Sequence, residues 1–121
     1  MLNKKVLVTG ATGFIGGALI DQLIDKHYSV AASVRKQSAI LPNIVEQYLI
    51  EGLFTTTSWR ASLCNIDVVI HLAARAHIVK DVATNPLEEF RKVNKEGTLT
   101  LARQALKEGV KRFIYISSIG V

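Results

Sequence analysis

Three glycines at regular spacing follow a short apolar run near the start of the chain. The run over residues 6–8 leads into Gly10, Gly13 and Gly16, and we call residues 10–16 the glycine turn. Gly10 permits a tight turn, because glycine tolerates a positive φ without strain. If a helix begins near Gly13, its first N–H groups carry a partial positive charge, and a pyrophosphate can reach them past a residue without a side chain. Gly16 lets the helix pack closely against the strand. The pattern predicts a phosphate-binding turn, the alternative being glycines that serve packing alone.

A basic pair follows the second apolar run. Where a dinucleotide binds, a carboxylate about 20 residues after the glycines hydrogen-bonds the adenosine ribose and selects NAD. This chain has Arg35 and Lys36 in that region, with no acid beside them. A guanidinium can hold a 2′-phosphate through two parallel hydrogen bonds, so the pair favours NADP over NAD. The alternative is that both side chains are solvated loop charges.

The elements that must position these residues alternate between strand and helix. Apolar runs predict strands over about residues 5–9, 29–34, 47–50, 67–72 and 112–117. Strands separated in this way pair in parallel through right-handed crossovers. The predicted fold is therefore α/β, a Rossmann-like doubly wound parallel sheet of order 3-2-1-4-5, truncated after the fifth strand. The carboxyl ends of its strands would bring the glycine turn, residues 73–74 and residues 117–118 to one cleft.

Two helices are predicted on either side of the second and third strands. The first spans about residues 13–26, and apolar residues at three-to-four spacing predict its buried face: Phe14, Ile15, Leu19, Ile20, Leu23 and Ile24. A short helix is expected to start after a cap at Thr57 or Ser58 and to end by Asn65.

The longest helix is predicted over about residues 86–108. Asn85 caps it, a proline follows at the first helical position, and Gly109 is expected in the left-handed conformation just past its end. Asn94 lies in its middle, where asparagine is a poor helix former, among apolar neighbours. Its side chain is therefore expected to be partly buried and hydrogen-bonded. Gly97, in the following turn, would permit close packing or a kink.

Composition favours one globular domain and excludes several partners. The 121 residues are 49% hydrophobic, enough for one α/β core. No apolar run approaches the ~20 residues of a membrane span. The net charge is +5, but the basic residues are scattered without interleaved aromatics, so no nucleic-acid partner is expected. The single cysteine, Cys64, fits a reducing cytoplasm and is predicted as a small core residue without a metal site.

Four motifs, in this order, resemble the extended branch of the short-chain dehydrogenase/reductase superfamily, the NAD-dependent epimerase/dehydratase enzymes. They read Thr-Gly-Ala-Thr-Gly-Phe-Ile-Gly-Gly at 9–17, Asp-Val-Val-Ile-His-Leu-Ala-Ala at 67–74, Val-Asn-Lys-Glu-Gly-Thr at 93–98 and Arg-Phe-Ile-Tyr-Ile-Ser-Ser at 112–118. Together they span nearly the whole chain. The resemblance implies that residues 1–121 form a partial NAD(P)-binding Rossmann domain of a nucleotide-sugar enzyme.

The resemblance, with the basic pair added, implies a set of cofactor-binding residues. The set is Gly10, Thr12, Gly13, Phe14, Ile15, Gly16, Arg35, Lys36, Leu53, Leu72, Ala73, Ala74, Asn94 and Ser117. Leu53 follows Gly52 where the family often has an aspartate and an aliphatic residue. Leu53 would wall the adenine, while the polar contact to the adenine amino group is lacking unless Glu51 supplies it. Asn94 would support the active site through a hydrogen bond or a bound water, and a backbone contact at a local distortion is the alternative from the residues alone.

Ser118 is the residue to which the resemblance assigns chemistry. In the family a serine or threonine just past the fifth strand hydrogen-bonds the hydroxyl or carbonyl of the substrate, and a Tyr-x-x-x-Lys pair transfers the proton. None of the three tyrosines has a lysine four residues later, because those positions are Ala32, Gly52 and Ile119. We expect the N-terminal part of a longer enzyme, lacking the substrate-binding part. Alone it would bind a dinucleotide weakly at best and be inactive.

The parent protein is expected to transfer a hydride on an NDP-sugar, as an epimerase, dehydratase or 4-keto reductase that uses NAD(P). It would form a homodimer through the long helix. The alternatives are a reductase of another small carbonyl compound and a catalytically inactive NAD(P)-sensing regulator. A Tyr-x-x-x-Lys motif beyond residue 121 would favour an enzyme. His71 is interpreted as a core residue with satisfied hydrogen bonds rather than a catalyst.

Overall fold

A single parallel sheet organises the chain. A computed structural model describes residues 4–72 and 86–116. Its strands are β1 (Lys5–Thr9), β2 (Ser29–Val34), β3 (Glu46–Leu49), β4 (Val68–His71) and β5 (Arg112–Tyr115). They lie in the order β3-β2-β1-β4-β5, and all neighbours are parallel. The predicted Rossmann-like order is confirmed, and the predicted strand bounds agree to within two residues.

Helices cover both faces of the sheet and divide the core in two. They are α1 (Phe14–Asp25), α2 (Arg60–Leu63) and α3 (Pro86–Lys107). Successive strand side chains face opposite sides, so the central strands are apolar on both. The face under α1 buries Val6, Val8, Ala11, Ile20, Val30, Ala32, Val34, Leu41, Val45 and Ile70. The face under α2 and α3 buries Leu7, Ala31, Trp59, Leu63, Ile66, Val69, Leu101 and Ala105.

The two long helices end in left-handed residues. After α1, His27 has a φ of 69°, and the next N–H, that of Tyr28, bonds the Leu23 carbonyl at 3.0 Å. This is the Schellman arrangement, in which glycine is the usual left-handed residue. After α3 that residue is Gly109, with a φ of 87°. The predicted end of the long helix is confirmed, while α1 uses a histidine that strains the backbone.

The predicted buried face of α1 is wrong at its first turn. The side chains of Phe14 and Ile15 are 94% and 60% exposed. The helix meets the sheet from Gly16 onward, and Ile20 is its fully buried apolar side chain. Leu19, Leu23 and Ile24 are partly buried against the same core, so the expected periodicity holds for the rest of the helix. The first turn projects past the carboxyl end of β1.

The predicted cap of α2 is also wrong. The helix begins at Arg60 with Trp59 as its cap residue and no side-chain capping bond. The Thr57 hydroxyl instead donates to the Gly52 carbonyl at 2.6 Å and accepts the Phe54 N–H at 3.1 Å. Because these local bonds occupy the hydroxyl, it cannot cap the helix.

Cys64 is exposed, so its prediction as a core residue is wrong. It terminates α2, and it lies with the exposed Asn65, whose φ is 61°, in the turn before Ile66 re-enters the core. Across residues 4–72 and 86–116, no group of three or more His, Cys, Asp or Glu side chains could hold a metal ion. None of the helices in those residues is long and apolar enough to cross a membrane.

Candidate functional site

The glycine turn joins β1 to α1 at the carboxyl edge of the sheet. Gly10 has a φ of 70°, in the left-handed region that favours glycine. The Gly13 N–H bonds the Gly10 carbonyl at 3.2 Å and closes the turn. Gly13 caps α1 in an extended conformation without a side-chain capping bond. The N–H groups of residues 14–16 precede the first helical bond, from Gly17 to the Gly13 carbonyl at 3.0 Å, so they are the donors that a helix N-terminus offers an anion.

The glycines of this segment differ in how far the fold needs them. A Cβ at Gly16 would overlap the Gly10 carbonyl oxygen and lie 2.8 Å from Cα of Ala11. Both neighbours are backbone, so no side chain can move aside. A Cβ at Gly13 would lie 3.5 Å from the same oxygen, an ordinary van der Waals contact. The packing therefore requires glycine at 16, as predicted, but not at 13.

The predicted contacts around the turn are open to solvent. Thr12, Gly13, Phe14 and Ile15 are all exposed. An apolar side chain as exposed as that of Phe14, beside free helix-terminal amides, is available to a ligand with apolar rings. The segment therefore combines anion donors with apolar surface, which is the composition that a dinucleotide needs.

The end of β2 presents its basic pair to solvent. Arg35 and Lys36 are exposed and directly follow Val34, the last residue of the strand. In the described part of the chain the ion pair is Lys5–Glu46, at 2.8 Å, so no described carboxylate neutralises Arg35 or Lys36. The pair is available to a phosphate group.

Leu53 occupies a packing position beneath α3. It is half-buried and belongs to the second core. A Cβ at Gly97 would come within 2.6 Å of Leu53 Cγ, so the predicted role of Gly97 in close packing is confirmed. Gln104 of α3 also bonds the segment that precedes α2. It accepts the Trp59 N–H at 2.7 Å and donates to the Thr57 carbonyl at 2.8 Å. Leu53 thus has a structural role, and its adenine contact stays a prediction.

A buried polar group that the sequence reasoning did not assemble links β1, β4 and α3. His71 Nδ1 lies 2.6 Å from Thr9 Oγ1, and His71 Nε2 lies 2.9 Å from Thr98 Oγ1. Thr9 Oγ1 also accepts the Leu72 N–H at 3.0 Å. His71 and Thr9 are almost fully buried, and the imidazole stacks on Tyr115 with ring centroids 5.4 Å apart. We call Thr9, His71, Leu72 and Thr98 the His71 network. The interpretation of His71 as a satisfied core residue is confirmed.

Burial sets the charge of this histidine. Desolvation lowers the pKa of His71 from 6.5 to about 4, so the ring is neutral at pH 7. Between pH 6.5 and about 4, His71 is protonated in the unfolded chain but stays neutral in the folded chain. Stability is therefore complete above about pH 6.5 and falls as the pH drops toward 4. Polar residues ending two neighbouring central strands were the sequence signal for this group.

The structure brings part of the predicted site together. Through the Thr9 hydroxyl, the half-buried Leu72 at the end of β4 is joined to the residue before the glycine turn. Asn94 is half-buried in α3, four residues before Thr98, as predicted. The predictions for Ala73, Ala74, Ser117 and Ser118, and the Asn85 cap, lie outside the described residues.

The chain is similar to a family of NAD-dependent enzymes, among them a nucleotide-sugar epimerase and a hydroxysteroid dehydrogenase. The model of the NAD dependent epimerase/dehydratase family matches residues 6–121. UDP-glucose 4-epimerase of Vibrio cholerae is 41% identical over 99% of this chain and 36% of its own length. A 3 beta-hydroxysteroid dehydrogenase/Delta 5→4-isomerase of Mycobacterium tuberculosis is 32% identical over 97% of this chain and 32% of its own.

Solved structures agree with this similarity. MoeE5, in complex with UDP-glucuronic acid and NAD, superposes with a TM-score of 0.70 at 32% identity, over 94% of this chain and 36% of that one. UDP-glucose 4-epimerase of Thermotoga maritima, with UDP-glucose, has a TM-score of 0.71 at 30% identity, over 94% and 38%. The chain therefore spans about a third of the length of the relatives it matches.

Proposed function

The chain belongs to the NAD-dependent epimerase/dehydratase family, and from that membership we propose that it binds the dinucleotide for hydride transfer on an NDP-sugar. Residues 1–121 would be the NAD(P)-binding part, and the rest of a longer protein would bind the sugar. The observation that carries the proposal is the glycine turn, where the helix-terminal amides of the exposed residues 14 and 15 directly follow a glycine that packing does not require.

The described residues fit a dinucleotide. The amides of residues 14 and 15 would receive the pyrophosphate, because both residues are exposed and Gly13 before them has no side chain. Leu72 and the exposed Phe14 and Ile15 would contact the rest of the cofactor, with Asn94 supporting the site from α3. When bound, the nicotinamide supplies the hydride-accepting and hydride-donating chemistry. Ser118 would hydrogen-bond the sugar hydroxyl or carbonyl and hold it in place.

The basic pair supports a preference for NADP within this proposal. Arg35 and Lys36 are exposed and have no described carboxylate partner, so a 2′-phosphate would meet no competing anion. A hydrogen bond to a charged group contributes about 1.5–3 kcal/mol, so we expect NADP to bind at least about tenfold more tightly than NAD. The family is NAD dependent and MoeE5 was solved with NAD, which makes this preference a point to test.

Titration of the chain with NAD and with NADP tests both the proposed dinucleotide binding and the proposed preference for NADP. Binding of either one, by calorimetry or by a rise in the melting temperature, would support the proposed function. Arg35→Ala is expected to remove the NADP preference and leave NAD affinity unchanged. Lys26→Ala is the matched control, because Lys26 is an exposed cation at the opposite end of α1. Equal affinity of the two dinucleotides in the wild type would contradict the preference, and absence of binding both by this chain and by the longer protein that contains it would contradict the function.

The substrate proposal needs the longer protein that contains this chain. We expect turnover of a UDP- or dTDP-sugar, and Ser118→Ala is expected to lower kcat by about 10²-fold. A hydroxysteroid is the second candidate substrate, favoured by the similarity to the mycobacterial dehydrogenase. Activity on a steroid but not on a nucleotide sugar would select it. If the longer protein binds a dinucleotide but its sequence has no Tyr-x-x-x-Lys motif beyond residue 121, a cofactor-sensing regulator would be indicated instead.

Oligomerisation is part of the same proposal. In α3, Leu99 and Leu106 are 42% and 79% exposed. Side chains of this size on an outward helix face are suited to a helix-to-helix contact between two copies. We expect the longer protein to be a homodimer in sedimentation experiments, and a monomer would contradict this.

A further inference from the structure

The His71 network links α3 to β1 and β4, two strands that are already paired in the sheet. Thr9 ends β1, His71 ends β4 directly beside it in register, and Thr98 lies in α3. The imidazole bonds a hydroxyl on each side, at 2.6 Å to Thr9 and 2.9 Å to Thr98. The His71 and Thr9 side chains are excluded from water, so each lost bond would leave a buried polar atom unpaired.

The hydrogen bonds around the ring favour one tautomer. Thr9 Oγ1 accepts the Leu72 N–H, and among the described residues His71 Nδ1 is the acceptor within reach of the Thr9 hydroxyl hydrogen, so we assign that hydrogen to the bond with Nδ1. A ring nitrogen that accepts this bond carries no proton, so the proton of the neutral ring is on Nε2. The Nε2–H then donates to Thr98 Oγ1. Backbone Leu72, Thr9, His71 and Thr98 form one directional chain of hydrogen bonds.

The two ends of this chain are next to two parts of the proposed site. Thr9 is bonded covalently to Gly10, where the glycine turn begins, and Thr98 is one helical turn from Asn94. We propose that His71, as the neutral Nε2–H tautomer, is a positioning residue that holds the glycine turn and Asn94 in one frame. This inference rests on the proposed function, since the frame serves a dinucleotide bound at the turn.

Two threonine-to-valine variants of α3, one at Thr98 and one at Thr100, distinguish a positioning role of the network from a role in packing. Thr98→Val keeps the shape of the side chain and removes the acceptor of the Nε2–H. It is expected to weaken dinucleotide binding about fivefold, the value of one hydrogen bond, at a temperature where the variant is folded. Thr98→Ser restores the acceptor and should bind within about twofold of the wild type. Thr100→Val is the matched control, because the Thr100 hydroxyl only donates to the Glu96 carbonyl of its own helix, at 3.0 Å.

A measurement on the unliganded wild type tests the inference without any variant. Nitrogen NMR of the histidine rings at pH 7 should give His71 an unprotonated Nδ1 and a protonated Nε2. In Thr98→Val the amide resonances of Gly10 and Gly13 should shift, and in Thr100→Val they should not. A protonated Nδ1 in the wild type overturns the proposal. So does a Thr98→Val protein that loses stability but keeps its dinucleotide affinity and its glycine amide shifts.

The outcomes also separate this inference from the proposed function. If neither this chain nor the longer protein that contains it binds a dinucleotide, the proposed function fails, while the tautomer and the glycine amide shifts still decide whether His71 positions the turn. If the dinucleotide binds and Thr98→Val binds it as tightly as the wild type, the function stands and the positioning role is refuted.

Discussion

Replacement by alanine should have different effects on stability and dinucleotide binding at Gly13, Gly16 and Gly17, because an added Cβ meets different surroundings at each. At Gly16 the new Cβ would overlap backbone of residues 10 and 11, at 2.8 Å from the nearest carbon atoms of Ala11. We expect Gly16→Ala to lower the free energy of unfolding by about 2–3 kcal/mol, the cost of forcing atoms into a packed contact. At Gly17 nothing lies within 4 Å, and the residue is helical. There alanine should stabilise the protein by about 0.5–1 kcal/mol.

Gly13→Ala is the functional member of the series. Its Cβ makes an ordinary contact at 3.5 Å, and the extended backbone, with φ of −78°, suits alanine. The weaker helix cap and the reduced freedom of the unfolded chain roughly cancel, so stability should stay within about 0.5 kcal/mol of the wild type. The same methyl group would stand in front of the amides that are proposed to bind the pyrophosphate. We expect dinucleotide affinity to fall about tenfold or more.

Urea unfolding measures the free energy of unfolding of these variants, and titration with NAD and NADP measures their dinucleotide affinity. Trp59 is the single tryptophan and is 1% exposed in the second core, so its fluorescence reports loss of the packed state. Full binding by Gly13→Ala would refute the proposal that these amides hold the pyrophosphate. If Gly16→Ala and Gly17→Ala changed stability in the same direction, the packing of α1 against the turn would be wrong.

Three further predictions concern stability. His27→Gly should raise the free energy of unfolding by about 1 kcal/mol, because His27 has a φ of 69° and glycine adopts it without strain; an unchanged urea midpoint would contradict this. Between pH 7.5 and 4.5 the wild type should lose about 2–3 kcal/mol more than His71→Asn, since the pKa of His71 rises from about 4 to 6.5 on unfolding. Parallel curves for the two proteins would rule out the shifted titration. Trp59→Phe should be far milder than Trp59→Ala, which should cost about 3–5 kcal/mol, because the indole N–H has no described partner to lose; circular dichroism gives both values.

The sheet could be predicted from the sequence because its signals are local. Apolar runs on both faces mark buried parallel strands, and the glycine turn and Gly109 mark where chain direction changes. The errors occurred where local signals compete. Thr57 has the type of a helix cap, but its hydroxyl is bound to Gly52 and Phe54, and only the folded loop reveals that. Phe14 fits the apolar period of α1, which cannot reveal that its first turn projects beyond the sheet.

The candidate site divides in the same way. Residue types identified the glycine turn and the basic pair, whereas the partners of His71 are 62 and 27 residues away in sequence and became visible only in the folded chain. A histidine at the end of a buried strand indicates that partners must exist, but not which ones. For that reason the packing roles of Leu53 and Gly97 were open to prediction only in part.

The two ends of the proposed dinucleotide site differ in how far they are organised before binding. The glycine turn is closed by its own backbone bond, fitted to α1 at Gly16 and linked to α3 through the His71 network. Arg35 and Lys36 are exposed, without a described acidic partner, so their long side chains must be ordered when a ligand binds. Preorganised donors give more affinity per contact than side chains that lose freedom. We therefore expect the pyrophosphate end to supply most of the affinity and the basic pair to supply mainly the choice between NADP and NAD. On this argument Gly13→Ala should weaken both dinucleotides equally, whereas Arg35→Ala should weaken only NADP.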